Sequence, residues 1–78
     1  MEKTKINHEE ILFFYRNAPA GFARIVHDNL KDAGFSINRT QVHRELYTLK
    51  KDYLKPVIDE ARRVLTAIKG IEFNTINN

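Results

Sequence analysis

Apolar residues recur along the chain in four clusters at helical spacing, each bounded by residues that start or stop a helix. In the first, Ile11, Phe14 and Tyr15 fall at i, i+3 and i+4, and Leu12 widens the stripe. Asn7 is a good N-cap, and Glu10 three residues later completes a capping-box pattern. Ile6 and Ile11 flank that cap as a hydrophobic staple. The pattern predicts a helix over 8–16. The residues RNAPAG then interrupt it. Pro19 disfavours helical backbone at Ala18 and suits the first turn of a new helix. Phe22, Ile25, Val26, Leu30 and Ala33 follow at helical spacing, which predicts a second helix over 19–33. Gly34 lies just past its end, where a left-handed C-cap costs glycine little.

Asn38, with Gln41 three residues on, Ile37 before it and Val42 after, repeats the cap, box and staple. Val42, Leu46, Leu49 and Tyr53 recur at intervals of four, three and four residues, so a third helix is predicted over 39–52. Pro56 opens a fourth, over 56–69. Its Val57, Ile58, Ala61, Val64, Leu65 and Ile68 lie to one side, and Gly70 stops it. The tail IEFNTINN alternates Ile71, Phe73 and Ile76 with polar residues, which suits a short strand or a frayed end packing one aromatic ring. No internal repeat and no paired-strand pattern is visible. The expectation is a single all-α domain over 1–78, a compact bundle of about four helices with its body at 7–70 and tails at 1–6 and 71–78. Ile11, Phe14, Val26, Leu30, Val42, Leu46, Leu49, Ala61, Val64 and Leu65 are its predicted core.

Composition narrows the class. A chain of 78 residues holds one domain, and a domain of that size buries only about 60% of its unfolded surface. It has no cysteine, which removes disulfides and Cys-based zinc sites. Apolar residues at 42% and charged residues at 29% fit a globular protein rather than a disordered one. No apolar run approaches the ~20 residues that span a bilayer, and the polar opening MEKTKINHEE has no signal-peptide core. These features predict a cytoplasmic protein with no membrane partner.

The charge is unevenly placed. Arg39, Arg44, Lys50, Lys51 and Lys55 face only Glu45 and Asp52 within 38–55, so that segment carries the whole net charge of +3. A local basic patch attracts phosphate or another anionic surface. It coincides with the third helix, SINRTQVHRELYTLKK, whose apolar stripe is interleaved with Arg39, Thr40, Gln41, His43, Arg44 and Tyr47. A helix set across its predecessor after a short turn can offer such a face to a major groove. Ile25, Val26 and Leu30 on the second helix and Val42 and Leu46 on the third would form the joint.

At these residues, FARIVHDNLKDAGFSINRTQVHRELYTLKK followed by KPVIDEARRVL, the sequence resembles small repressor-like helix-turn-helix DNA-binding proteins. Gly34 matches the glycine that opens the family's turn. Val42 matches the β-branched anchor of its recognition helix, although it stands eight residues after the glycine where the family has six. Ala23 is the nearest match to the small residue of the first motif helix, and it falls early. The resemblance implies a transcriptional regulator that binds double-stranded DNA. Arg39, Thr40, Gln41, His43, Arg44 and Tyr47 would lie at the groove, and Lys50, Lys51 and Lys55 at the backbone. Pairs of such modules usually read a site together, and the apolar Ile68, Ile71 and Phe73 point to a homodimer through the fourth helix and the tail. The alternative left open is a small helical adaptor that binds protein and has no nucleic-acid role.

Other chemistry finds little footing. His8, His27 and His43 are far apart, HEE is not HExxH, and no metal site is expected. Ser36 and Thr40 have no catalytic partner in view, and there is no glycine-rich phosphate loop. The expectation is neither an enzyme nor a cofactor carrier.

Overall fold

A computed structural model describes residues 1–73. Along them run β1 (Lys3–Thr4), α1 (His8–Asn17), α2 (Phe22–Asp32), α3 (Arg39–Tyr47), β2 (Tyr53–Leu54) and α4 (Lys55–Lys69). The four-helix bundle expected from the sequence is present. The small antiparallel ribbon of β1 and β2 has no counterpart in the sequence pattern.

The capping residues act much as their positions suggest. Asn7 is extended, and its side chain accepts the Glu9 amide at 2.8 Å. Asn38 does the same for Gln41 at 2.8 Å. In α1 the reciprocal half of the capping box is not made, because the Glu10 carboxylate turns inward to Arg62. Helix α2 starts three residues later than predicted. Pro19 opens a turn instead of the helix: its carbonyl accepts the Phe22 amide at 3.0 Å, and Gly21 sits third at φ 70°. That conformation suits glycine and is the type II arrangement. The far end of α2 is a Schellman closure, with Gly34 N–H donating to Lys31 and Phe35 N–H to Leu30.

Helix α3 ends at Tyr47, well short of the predicted 52. Thr48 is already extended, at φ −118°. Leu49, predicted in the core, is 54% exposed. Its helical spacing is accidental, since the helix has stopped before the chain reaches it. Tyr53, at the next interval, is fully buried, but as a strand residue. Lys3 pairs with Leu54 and Thr4 with Tyr53, and the Lys55 amide extends the ribbon by donating to Glu2 at 2.9 Å. Helix α4 then begins directly from β2, with Pro56 in its first turn, where no intrahelical amide is needed.

Helix α4 lies against α2 and α3, α2 packs on α3, and α1 packs on α3. Every predicted core residue but Leu49 is buried, and Phe22, Tyr53, Leu54, Val57 and Ile58 complete the interior. Two polar clasps lie across the helices. Arg62 of α4 binds buried Glu10 of α1 in a bidentate pair at 2.7 and 2.8 Å. Those hydrogen bonds hold the guanidinium above its already high range, against the opposing effect of burial. Glu60 of α4 accepts from Arg63 and from Asn29 of α2. Arg63, then Asn29, hold its carboxyl below the usual carboxylate range, although burial opposes them.

In the tail, Ile71 packs against the core. Phe73 meets Phe13 edge-on at 5.5 Å. The remainder of the predicted strand or frayed end, including Ile76, lies outside the described residues. Among the described residues no helix is long and apolar enough to cross a membrane.

The two leucines separate the interior from the false stripe. Leu46→Ala should lower the unfolding free energy by about 2–5 kcal/mol. Leu49→Ala should stay within about 0.5 kcal/mol. Urea unfolding followed by circular dichroism measures both, and an equal loss at the two sites would contradict this assignment.

Candidate nucleic-acid interface

Helix α3 buries Val42, Glu45 and Leu46, at i, i+3 and i+4. That stripe leaves Arg39, Thr40, Gln41, His43 and Arg44 all exposed. Glu45 is the helix's only acid, and it is on the inner side at 3% exposure. The outer face therefore carries cations and neutral polar groups with no acid of its own.

Glu45 is held by the loop and strand on the C-terminal side of the helix. One carboxylate oxygen accepts the Leu54 amide at 2.8 Å. The other is bound by the Lys50 ammonium in an ion pair. The Tyr53 hydroxyl donates to the Thr48 carbonyl at 2.9 Å and accepts the Lys50 amide at 2.7 Å. Nε2 of His8 lies 2.9 Å from the Lys50 carbonyl and ties α1 to the same loop. Every buried side-chain nitrogen and oxygen among the described residues has a partner. An isolated carboxylate under these apolar helices would be costly; a paired and hydrogen-bonded one is tolerated.

The predicted contact residues thus separate into groups. Arg39, Thr40, Gln41, His43 and Arg44 share the exposed side of α3. Arg39, Arg44 and Lys51 take part in no ion pair among the described residues, whereas Lys50 is turned to Glu45 and Lys55 to Asp59 at 2.8 Å. Tyr47 is half-buried at the end of the helix, and burial pushes its phenol above the usual range, so it stays protonated at neutral pH. Its ring meets His43 edge-on at 4.7 Å and Tyr15 of α1 at 6.0 Å. Tyr15, 67% exposed, is the neighbour that the sequence did not reveal, because its place on the apolar stripe of α1 reads as core. Ala23, at the start of α2, lines a shallow concavity with Arg39, Thr40 and His43.

The apolar joint expected between α2 and α3 is present. Val26 and Leu30 are buried on α2, Val42 and Leu46 on α3, and the two helices pack together. The connection, residues 33–38, is longer than the family's usual turn, in keeping with the late Val42. The chain matches no family model, and no curated protein or solved structure shows significant similarity to it. Among the described residues no group of three or more His, Cys, Asp or Glu side chains is placed to hold a metal ion.

Glu45→Ala should destabilise the fold by about 1–3 kcal/mol, since it orphans the buried Leu54 amide. Lys50 can still turn to water, which keeps the loss below that of a fully buried pair. Thermal unfolding measures the effect, and amide exchange should quicken at Leu54. An unchanged Leu54 exchange rate would show that the carboxylate does not hold the strand.

Proposed function

We propose that this protein binds double-stranded DNA as a small transcriptional regulator, with α3 in the major groove. The observation that carries the reading is the polarity of α3: Arg39, Thr40, Gln41, His43 and Arg44 are exposed together, while the helix's one acid is folded inside against Lys50 and the Leu54 amide. The major groove is about 12 Å wide and accepts one helix. Gln41 suits adenine and Arg44 suits guanine, since each side chain can pair twice with the edge of its base. Lys51, exposed beyond the helix, suits the sugar-phosphate backbone, which positions a protein without reading sequence. In this reading the protein is not an enzyme and needs no cofactor.

Two copies would read a site together, meeting through the end of α4. The surface available for that is Ile68, 53% exposed, because Ile71 and Phe73 fold back on their own chain. Sedimentation in the micromolar range should show a dimer that Ile68→Lys dissociates. A wild type that stays monomeric would remove this part of the reading.

Fluorescence anisotropy with random and selected duplexes, across a salt series, tests the DNA contact. Arg44→Ala should cost about 1–3 kcal/mol on the selected duplex and relax specificity, whereas Lys51→Ala should weaken all duplexes and lower the salt slope by about one unit. A folded protein that binds no duplex at low salt rejects the reading and leaves the adaptor.

A further inference from the structure

Helix α1 carries five consecutive apolar residues, Ile11 to Tyr15, although only one of its sides faces the core. Glu10, Ile11 and Phe14 take that side and are buried. Glu9, Leu12, Phe13 and Arg16 recur at i, i+3, i+4 and i+7, so they form a second stripe. At about 100° per residue it lies half a turn away from Ile11 and Phe14. Leu12 is exposed and Phe13 half-buried, with Glu9 and Arg16 exposed at the two ends. A helix that is apolar on both sides is the pattern of one covered on both sides.

The charges on this stripe have no partner within the chain. Glu9 and Arg16 stand about 10 Å apart along the helix axis, and neither makes an ion pair among the described residues. Arg62 and Arg63, which line the hollow beside Phe13, are already held by Glu10 and Glu60. Lys50, whose carbonyl meets His8, is turned to Glu45. Glu72 stands beyond Phe13, at the far edge of the hollow. On the other flank the Tyr15 ring, mostly in solvent, meets Tyr47 edge-on. The stripe is therefore an apolar centre between one free acid and one free base.

We infer that this stripe is a self-association surface, on which α1 of a second copy packs antiparallel. An isologous contact is self-complementary across a two-fold axis. With the axis between Leu12 and Phe13, Leu12 of each copy meets Phe13 of the other, and Glu9 of each meets Arg16 of the other. The acid and the base stand at equal distances from that axis, so the two-fold operation sets opposite charges together at both ends. A parallel pairing would set Glu9 beside Glu9 and Arg16 beside Arg16. The antiparallel arrangement also brings the N-terminal end of each helix dipole to the C-terminal end of the other. Contact removes Leu12 and the exposed part of Phe13 from water, which supplies the driving force. Ile68 belongs to α4, so this surface is separate from one built on the end of that helix, and the inference does not depend on DNA.

An interface of two ten-residue helices falls below the ~1,600 Å² of a standard one, so the association is expected to be weak. Sedimentation equilibrium of the full chain, carried into the millimolar range, reads it. Glu9→Arg and Arg16→Glu should each weaken self-association by roughly tenfold, because each sets like charges together at both ends of the contact. Mixed in equal amounts, the two variants should recover the wild-type affinity as a heterodimer, since both ends then pair opposite charges. Leu12→Lys should abolish association. Circular dichroism checks that every variant is folded, and if Leu12→Lys is not, the charge reversals decide alone. A wild type that is monomeric throughout overturns the inference. So does a dimer that Ile68→Lys dissociates and the α1 variants leave intact, or a mixture that associates no better than its components.

Discussion

The arrangement depends on one buried carboxylate. Glu45 sits under α3, where an ionised group has no natural solvent, and it is stable there only because the chain returns to satisfy it. Lys50 supplies the countercharge and Leu54 the backbone donor. Meeting those demands requires the chain to leave the helix at Tyr47, turn around the Tyr53 hydroxyl and come back as β2. That return sets the start of α4, which packs on both α2 and α3. The same interaction that fixes the end of α3 removes the acid from its outer face. A structural constraint and the charge of the surface are here one event.

Much of this is legible in the residues, and the parts that are not share a cause. The caps at Asn7 and Asn38 are local signals, and both helix starts form where they stand. The predicted core positions of α1, α2 and α4 are buried because amphipathic spacing over a whole helix is hard to produce by chance. Pro19 misleads because proline serves equally at the first turn of a helix and inside a tight turn. Gly21 decides between the two, since it can take the positive φ that the turn needs. Leu49 and Tyr53 continue a helical interval past the real end of α3, and only a contact made through space shows that the helix stops. Two-residue strands joined across most of the chain leave no periodic trace at all.

The site divides in the same way. The exposed positions of α3 are legible as the complement of its buried stripe. Lys50 and Lys55 look like free cations in the sequence, yet each has a carboxylate partner, one brought to it by the loop and one standing a helical turn away. Tyr15 is hidden for the opposite reason: it shares an apolar interval with Ile11, and the bundle simply does not cover that position. Local spacing tells which residues share a side of a helix. It does not tell how far a neighbouring helix reaches over them.

The Schellman closure at Gly34 and the Asn38 cap have a consequence for the thermodynamics of association. Together they pin both ends of the six-residue link between α2 and α3, and the Glu45 network pins the far end of α3. The backbone of the exposed face is therefore ordered before anything meets it. A partner need not pay to form the helix, as it would with a segment that folds on contact. What remains to be ordered is a few long side chains, Arg39, Gln41 and Arg44 foremost, at about 0.5–1.5 kcal/mol for each one immobilised. The face is preorganised in its scaffold and adaptable only at its tips.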